Sequence, residues 1–403
     1  MIAKITPSRA CGSVSAPASK SMAHRLLIAA AMASGVSTVR GISSCSDVSA
    51  TVDCLRALGV KIEETGKDLT VHGLNMKNAR PSRELYCRES GSTQRFLIPI
   101  ALLSGIKTAV SGARSLMKRP LSVYEDMARE KDFLFTRENG LIFVKGPLKS
   151  GEYTLRGDVS SQFISGLLFA LPVLSDDSTI KITPPFESRS YVLLTIAALR
   201  EFGVFAEFED EYTIKVPGNQ KYKPCDVTVE GDYSGAAFLD AFNYIGGEVT
   251  VSGLLQDSVQ GDRVYTELFP LLKTGTPKID VTDCPDLSPI LFTLAAAFSG
   301  AEFTGTKRLK IKESDRAETM AEELRKFGAN IEVFENSVLI SGATLHAPSE
   351  PILAHNDHRV AMSLSVLLTL FGGELHGAES VSKSYPSFFD DIKKLGIEVT
   401  INE

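Results

Sequence analysis

The stretch Ser19–Arg25, SKSMAHR, places Lys20, His24 and Arg25 directly before the apolar run LLIAAAMASG. That run predicts the body of a helix that ends at Gly35. The N-terminus of a helix carries a partial positive charge and ordinarily takes acidic residues. Cations at this end are either solvated or bind an anion, because unpaired backbone N–H groups and positive side chains together attract phosphate or carboxylate.

Five more segments open on small, polar or charged residues and then become almost wholly apolar. Together with the first, they begin near residues 20, 91, 160, 234, 286 and 357. This near-constant spacing indicates an internally repeated architecture. Such helices are buried on most sides, and their first N–H groups need partners. The opening residues that could supply them or bind an anion are Lys20, Ser21, Gly91, Ser92, Thr93, Ser160, Ser161, Gln162, Tyr233, Ser234, Asp286, Asp357, His358 and Arg359.

A second family of segments alternates with these helices. The strings LRALGV, LREFGV, LRKFGA and IKKLGI each end an amphipathic run and are followed by a strand-like stretch. Their glycines, Gly59, Gly203, Gly328 and Gly396, lie where the end of a helix favours positive φ. The sequence therefore predicts a repeated helix–glycine–strand unit. The polar, proline-containing stretch from Tyr212 to Val229 is a plausible crossover between two domains.

The bulk composition bounds the function classes. The chain has 403 residues, 43% of them hydrophobic, and a net charge of −6. The length predicts two domains, and the acidic balance argues against non-specific nucleic-acid binding. No apolar run reaches the ~18 residues of a membrane span, and the six cysteines form no CxxC pair. These features predict a cytoplasmic protein. We expect no metal or organic cofactor, because no nucleotide loop is present and His355 with His358 makes only a weak metal motif.

Several segments, in this order along the chain, resemble the EPSP synthase family of the enolpyruvyl transferase superfamily. They are SAPASKSMAHRLLIAAAMASG, GDVSSQF, VQGD, KESDR, NDHRVAM and KSYPSFF. The resemblance covers essentially the whole chain. It implies an α/β fold of two similar domains, residues 1–18 with 228–403 and residues 19–227, with the active site in the interdomain cleft. Each domain would hold three βαβαββ-like repeats, with buried helices surrounded by sheets in an inside-out α/β barrel.

The resemblance also implies the reaction. The family transfers the enolpyruvyl group of phosphoenolpyruvate to the 5-hydroxyl of shikimate 3-phosphate and releases phosphate, on the route to chorismate and the aromatic amino acids. It is the target of glyphosate. Both substrates are polyanions, which suits helix starts surrounded by cations. The implied partners are these small molecules only, with no nucleic acid and no membrane, and the protein would be a monomer.

Site residues carry over from matching motifs. The resemblance implies that shikimate 3-phosphate contacts Lys20, Ser21, Arg25, Ser160, Ser161, Gln162, Ser188, Tyr191, Asp286 and Lys312. It implies that phosphoenolpyruvate contacts Lys20, Gly91, Arg119, Gln162, Arg316, Arg359 and Lys383. The implied catalytic residues are Asp286, which would take the proton of the attacking hydroxyl, and Glu313, which would protonate the methylene carbon with help from Lys20.

Three features depart from the family pattern. Glu89 stands where the family usually has Asn, and its carboxylate either weakens phosphoenolpyruvate binding or points away as a helix N-cap. Arg308 stands near the implied shikimate phosphate, where a neutral amide is common. The segment between Ala128 and Gly140 lacks the LxxLG ending, which predicts a shortened repeat.

Two alternatives stay open from the sequence. One is a related enolpyruvyl transferase with a different acceptor, against which the Ser160-Ser161-Gln162 trio with Lys312 argues. The other is a non-catalytic anion-binding relative. The presence of both Asp286 and Glu313 argues against it, because anion binding needs no extra carboxylates.

Overall fold

Helices occupy the positions that the apolar and amphipathic runs predict. The computed structural model describes residues 1–402. Its helices are α1 Lys20–Met32, α2 Ser46–Ala57, α3 Gly91–Leu102, α4 Arg114–Met117, α5 Ser122–Lys131, α6 Ser161–Ala170, α7 Arg189–Glu201, α8 Tyr233–Tyr244, α9 Tyr265–Thr274, α10 Ser288–Ala297, α11 Arg316–Arg325, α12 His358–Phe371 and α13 Phe388–Lys394. Short 3₁₀ turns cover Met76–Asn78, Leu171–Val173, Gly261–Val264, Lys307–Ile311 and Ala378–Lys383.

The strands are short and lie between the helices. They are β1 Ile2–Ile5, β2 Cys11–Ser15, β3 Val36–Arg40, β4 Lys61–Thr65, β5 Asp68–His72, β6 Leu85–Tyr86, β7 Thr108–Ser111, β8 Leu134–Glu138, β9 Leu141–Lys145, β10 Gly151–Arg156, β11 Ser178–Thr183, β12 Glu207–Phe208, β13 Thr213–Val216, β14 Val227–Thr228, β15 Glu248–Ser252, β16 Lys278–Asp280, β17 Gly300–Thr304, β18 Asn330–Val333, β19 Ser337–Ser341, β20 Ile352–Leu353, β21 Gly373–His376 and β22 Val399–Asn402.

The chain divides into two compact units. The continuous unit is Lys20–Glu230, and the split unit joins Met1–Ser19 to the chain from Gly231 onward. The chain passes from the split unit to the continuous unit at 19/20, one residue after the boundary expected at 18/19. It returns at 230/231, three residues after the boundary expected at 227/228. The second shift has a structural cause, because β14 pairs in parallel with β3 and so belongs to the continuous unit.

The continuous unit contains three sheets of one design. Their strand orders are β14-β3-β5-β4, β6-β7-β9-β8 and β10-β11-β13-β12. In each, the first two strands are parallel and the other pairings are antiparallel. A parallel pair needs a crossover, and the apolar helices α3 and α6 supply it in the second and third sheets. In the first sheet, β3 and β14 lie near opposite ends of the continuous unit in the sequence, and the apolar helix α1 directly precedes β3. The predicted repeated α/β architecture is confirmed.

The split unit repeats the design with one reduced copy. The orders β16-β17-β19-β18 and β20-β21-β1-β22 match the other unit, but the sheet that follows α8 contains only β15 and β2. β1 takes the third position of the sheet β20-β21-β1-β22, where it pairs with both β21 and β22. The N-terminal strand β1 therefore belongs to the split unit, the domain to which the resemblance assigns residues 1–18.

The prediction of a shortened copy between Ala128 and Gly140 is wrong. That repeat has its outer helix α5 and both hairpin strands, β8 and β9. The helix ends at Lys131, and Asp132 takes the left-handed conformation, with φ 57°, that glycine provides in four of the other copies. The LxxLG pattern is missing there because a residue other than glycine makes the turn.

The helix starts and ends follow the local rules that predict them. Gly59, Gly203, Gly328 and Gly396 all have positive φ, between 70° and 102°, as the C-terminal turn requires. The apolar helices are buried on most sides: 12 of the 14 residues of α12 and 11 of the 12 of α3 are buried. They fill the centres of the two units. Within residues 1–402, no helix is long and apolar enough to cross a bilayer.

Candidate active site

Lys20, the first residue of α1, pairs with an acidic residue of the neighbouring helix. Its Nζ lies 3.0 Å from Oδ2 of Asp47, and both side chains are mostly buried. Asp47 lies in the first turn of α2, where the helix dipole also favours a carboxylate. The cation at the start of α1 is therefore held by a carboxylate of α2. Sequence reasoning missed Asp47, which carries no motif of its own.

Arg25 and His24 lie deeper and tie helices together. The Arg25 guanidinium donates to the hydroxyl oxygen of Thr195 at 2.8 Å and to the carbonyls of Ser21 and Tyr191 at 2.7 and 2.9 Å. Burial lowers the pKa of Arg25 to about 9. Burial, then Lys20 and Arg25, hold the pKa of His24 well below its ordinary value, so His24 is neutral.

Gly91 lies where three polar side chains meet at the start of α3. A Cβ at this position would lie 2.6 Å from NH1 of Arg95, 3.1 Å from NH1 of Arg119 and 3.4 Å from Oε1 of Gln162. Arg95 donates to Gln162 Oε1 at 2.8 Å, and Gln162 Nε2 donates to Ser92 Oγ at 2.9 Å. The absence of a side chain at Gly91 thus lets two guanidinium groups come close to the helix start, and guanidinium groups are suited to binding an anionic ligand.

Arg95 is the residue of this group that sequence reasoning missed. It lies four residues after Gly91, which is one helical turn, so that its side chain reaches back over the helix start. The ring of Phe163 lies 5.3 Å from its guanidinium carbon. The i, i+4 spacing from a helix-opening glycine is the signal that could have found it.

The serines of the carried-over set lie at two further helix starts. Ser160 is the N-cap of α6 and accepts from Gln162 N at 3.3 Å, while Ser161 is the first residue of that helix. Ser188 precedes α7 in the left-handed conformation, with φ 56°, and Tyr191 follows in the first turn of α7. These residues share the continuous unit with Lys20, Ser21 and Arg25.

Glu89 does not cap a helix. The N-cap of α3 is Ser90, whose hydroxyl accepts from Thr93 N at 3.2 Å. Glu89 instead accepts a hydrogen bond from Ser115 Oγ at 3.2 Å. The capping alternative for Glu89 is therefore wrong, because a shorter side chain one residue nearer to the helix takes that place.

The split unit contributes a compact cluster of charges around Asp286. Its Oδ1 lies 2.8 Å from Arg316 NH1 and 3.3 Å from Lys312 Nζ, and its Oδ2 lies 2.8 Å from Arg359 NH2. Burial by itself raises the pKa of Asp286, but Arg359, Lys312 and Arg316 outweigh burial and bring it well below its ordinary value. Asp286 is ionised in this setting, and its side chain pairs with cations rather than capping α10.

Arg316 joins three carboxylates. Besides Asp286, its NH2 donates to Glu313 Oε2 at 2.7 Å and its Nε to Asp357 Oδ2 at 2.9 Å. Only 1% of its side chain is exposed. Burial lowers the pKa of Arg316, but the three carboxylates raise it well above its ordinary value. One permanently charged group therefore fixes the distance between Asp286 and Glu313.

Lys383 and the start of α12 complete this cluster. Lys383 Nζ donates to the carbonyl of Asn356 at 2.6 Å. Asp357 caps α12 by accepting from Arg359 N at 2.9 Å and also accepts from Ser314 Oγ at 3.2 Å. The sequence marks Asp357 as a helix-opening residue only, and its second role, holding Arg316, emerges from the structure.

Asp262 of the VQGD segment is a further acidic group beside the cluster that sequence reasoning did not select. It accepts a hydrogen bond from Ser234 Oγ and is buried. Burial and then the charge of Asp286 raise its pKa to about 6, against an ordinary value of 3.8. Two neighbouring carboxylates whose pKa values are pushed apart are typical of acid–base sites.

The structure thus brings the carried-over residues together in two sets. Lys20, Ser21, Arg25, Gly91, Arg119, Ser160, Ser161, Gln162, Ser188 and Tyr191 belong to the continuous unit, whereas Asp286, Lys312, Glu313, Arg316, Arg359 and Lys383 belong to the split unit. In the split unit the cations Lys312, Arg316 and Arg359 stand against three carboxylates.

Comparison with known proteins gives consistent results. The model of the family described as EPSP synthase (3-phosphoshikimate 1-carboxyvinyltransferase) matches residues 5–392. A 3-phosphoshikimate 1-carboxyvinyltransferase of Clostridium kluyveri is 40% identical, over 98% of this chain and 97% of its own, and one of Clostridium botulinum is 38% identical over the same shares. Among solved structures, an EPSP synthase from Acinetobacter baumannii has a TM-score of 0.81 at 25% identity, over 99% of this chain and 100% of that one. The enolpyruvyl transferase NikO from Streptomyces tendae has a TM-score of 0.77 at 16% identity, over 99% and 98%.

Proposed function

The chain belongs to the EPSP synthase family, and from that membership we propose that it transfers the enolpyruvyl group of phosphoenolpyruvate to the 5-hydroxyl of shikimate 3-phosphate and releases phosphate. The observation that carries this proposal is the fixed pair of carboxylates, Asp286 and Glu313, on the guanidinium of Arg316. Anion binding alone needs no such pair. We further propose that both sets of residues serve one active site that draws on the two units.

The binding roles follow the charges. The hydroxyls of Ser21, Ser160, Ser161 and Ser188, the side chains of Gln162 and Tyr191, and the cations Lys20, Arg25 and Lys312 bind shikimate 3-phosphate, with Asp286 on its hydroxyl. Phosphoenolpyruvate takes the cations Lys20, Arg119, Arg316, Arg359 and Lys383, together with Gly91 and Gln162. Support comes from the start of α3, where a Cβ at Gly91 would lie 2.6 Å from Arg95 NH1 and 3.1 Å from Arg119 NH1, so that the glycine lets both guanidinium groups come close to the backbone.

The chemistry requires one proton to leave an oxygen and one to reach a carbon. As the 5-hydroxyl oxygen attacks C2 of phosphoenolpyruvate, its proton passes to Asp286 and a proton from Glu313 reaches C3. The adduct then expels phosphate, which takes up the proton held by Asp286, and Glu313 takes back a proton from C3 as the double bond is restored. Because Asp286 has a low pKa, it is a weak base and takes the proton only as the attack makes the hydroxyl acidic.

Glu313 needs compensation to act as an acid. Its contact with Arg316 favours the charged form. A bound polyanionic substrate adds like charge nearby and favours the protonated form instead. We therefore propose that Glu313 takes up its proton as substrate binds, with Lys20 assisting at the same reacting centre.

We also propose an oligomeric state and a compartment for the enzyme. Each unit supplies part of the proposed site, so that a monomer suffices. The six cysteines carry free thiols, which suits the reducing cytoplasm. Size-exclusion chromatography with light scattering tests the monomer.

Phosphate release with different acceptors tests the function. We expect release with phosphoenolpyruvate and shikimate 3-phosphate together, without added metal, and none with either alone. Release with a UDP-amino sugar in place of shikimate 3-phosphate would identify a related transferase with another acceptor. Tight binding of both substrates without release would identify an anion-binding relative.

A further inference from the structure

The loop between β20 and α12 determines where three groups of the split unit's charge cluster lie. Asn356 offers its carbonyl to Lys383, Asp357 accepts from Arg316, and Arg359, two residues later, reaches Asp286. A change in the path of residues 354–357 would therefore displace all three contacts together.

This loop has an unfavourable backbone conformation. His355 and Asn356 are consecutive residues with φ of 49° and 55°. A left-handed conformation is costly for a residue other than glycine and persists only where its surroundings enforce it. The adjoining contacts are Ala354 N to the His376 carbonyl at 2.9 Å and Asp357 N to the Ala354 carbonyl at 2.8 Å.

Glu323 of α11 is hydrogen-bonded to the residues on both sides of Ala354. Its Oε2 accepts from Leu353 N at 2.9 Å and its Oε1 lies 2.7 Å from His355 Nε2. Lys326 Nζ lies 2.9 Å from Oε2 and also donates to the carbonyl of Pro351 at 3.1 Å. The Glu323 side chain is 0% exposed. One buried carboxylate thus receives donors from the strand, the loop and its own helix.

The charges support this arrangement. Burial raises the pKa of Glu323, but its hydrogen bonds to His355, Leu353 and Lys326 bring it below its ordinary value. The hydrogen bond to Glu323 is the largest cause of the raised pKa of His355. A buried carboxylate that loses its charge would leave Lys326 without its counter-ion, so this network resists change.

A metal site is the competing explanation for these groups. Glu322, Glu323 and His355 each have one ligand atom within 4.8 Å of the others. However, the ammonium group of Lys326 is hydrogen-bonded to Glu323. The two carboxylate oxygens of Glu323 also accept hydrogen bonds from Leu353 N and His355 Nε2. A cation would have to displace these donors, whereas the hydrogen-bond network of Glu323 with Leu353, His355 and Lys326 uses every one of them.

We propose that Glu323 is a positioning residue for the carboxyvinyl transfer: it holds the left-handed turn at His355–Asn356 and thereby fixes Arg359 and Lys383 on the phosphoenolpyruvate side of the site. The inference rests on the proposed function. Glu323 lies behind the loop and touches neither Arg359 nor Lys383, so that it acts through the backbone of residues 353–357.

The test compares Glu323→Gln with Glu322→Gln, its exposed neighbour on the same helix. Glutamine keeps the shape of Glu323 but brings an NH₂ group and no charge to Lys326 and His355. We expect KM for phosphoenolpyruvate to rise roughly tenfold in Glu323→Gln, the size of losing one charge-assisted hydrogen bond. The KM for shikimate 3-phosphate should change less than about twofold, because most of its proposed ligands lie in the continuous unit. Glu322→Gln should match the wild type.

A second readout does not depend on turnover. Hydrogen exchange at the amides of Asp357 and Arg359 should be roughly tenfold faster in Glu323→Gln and unchanged in Glu322→Gln. If Glu323→Gln fails to fold, His355→Ala removes one hydrogen-bond donor to Glu323. We then expect smaller increases in KM for phosphoenolpyruvate and in the exchange rates at Asp357 and Arg359. Unchanged exchange, or equal increases in both KM values, would overturn the inference. Wild-type protein without turnover would contradict the proposed function, while the exchange result would still decide the role of Glu323.

Discussion

Lys20 answers the question that its position raises. A cation in the first turn of a helix opposes the helix dipole, and here Asp47 of the next helix compensates for it. The pair fixes the position of the Lys20 ammonium, and an incoming anion could displace Asp47 or share Lys20 with it. Arg25, one turn later, is instead held by groups of α1 and α7. Adjacent cations of one motif thus have different structural settings.

Replacement of Asp286 by Asn tests its role at the residue scale. The amide keeps one acceptor but directs an NH₂ group at a cation, and it cannot take a proton from the hydroxyl. We expect kcat to fall on the order of 100- to 10,000-fold, with the affinity for shikimate 3-phosphate alone changed far less. Single-turnover kinetics and titration calorimetry measure the two effects.

Asp283→Asn is the matched control for this change, because Asp283 is an exposed carboxylate three residues away. It should leave kcat unchanged. Near-normal turnover by Asp286→Asn would remove Asp286 from the proton transfer. Glu313→Gln should show the same pattern as Asp286→Asn.

Gly91→Ala tests the space beside the two arginines. The added methyl group would lie 2.6 Å from Arg95 NH1, so that this guanidinium must move and the nearby Arg119 has less room. We expect KM for phosphoenolpyruvate to rise roughly tenfold, the equivalent of about 1.4 kcal/mol. Gly275→Ala is the control, because nothing lies within 4 Å of its built Cβ and its φ of 176° suits any residue. An unchanged KM in Gly91→Ala would show that the ligand does not use this space.

At the scale of elements, the starts of the buried helices could be predicted to within two residues. The reason is that local signals set them: Ser90, Ser160, Asp232 and Asp357 cap α3, α6, α8 and α12 through their own side chains. Asp286 looks like such a cap in the sequence, but three cations from other elements hold its carboxylate. Partners distant in the chain leave no trace in local spacing, and for that reason Asp47 and Asp262 could not be predicted as site residues, whereas the local spacing of Arg95 from Gly91 carries a usable signal.

Asp262 makes a prediction about the turn Gly261–Val264 and the start of α8. Its pKa of about 6 in the fold exceeds the ordinary 3.8, so the fold prefers the protonated form. Its contribution to stability is therefore complete below pH 4 and is lost as the pH rises to about 6. Asp262→Asn mimics the protonated form, and we expect it to raise the free energy of unfolding above pH 6 by at most about 3 kcal/mol.

Urea unfolding of Asp262→Asn between pH 4 and 7.5 measures this difference. The gain should shrink towards zero as the pH approaches 4. Asp257→Asn, an exposed neighbour in the same segment, should show no such trend. A gain that is independent of pH would mean that the charge of Asp262 is not the cause.

Asp132 makes an independent prediction about the end of α5. Its left-handed φ of 57° is costly for a residue with a side chain. Its contact with Lys149 at 3.7 Å is exposed and contributes little. Asp132→Gly should raise the free energy of unfolding by about 0.5 to 1 kcal/mol, measured by urea. Glu130→Gly, within the same helix and exposed, should lower it by about 1 kcal/mol. A loss in both variants would contradict this explanation of the missing LxxLG glycine.

At the scale of the whole molecule, the number of repeats could be predicted and their completion could not. Six buried helices are visible as periodic apolar runs. By contrast, β1 completes a sheet with β21 and β22, near the other end of the chain. β2 pairs with β15, although the whole continuous unit lies between these two strands in the sequence. Strand pairing over such separations depends on tertiary packing, and a four-residue strand carries too little pattern to specify its partner.

The most direct test of the central claim follows both phosphorus-containing substrates through one turnover. Phosphorus NMR of the wild-type protein, mixed with equimolar phosphoenolpyruvate and shikimate 3-phosphate in the presence of a chelator, resolves substrates and products. We predict that both substrate signals fall together while inorganic phosphate and one new phosphomonoester rise in equal amounts. Phosphate formed from phosphoenolpyruvate while the shikimate 3-phosphate signal persists, or activity lost to the chelator and restored by zinc, would contradict the account.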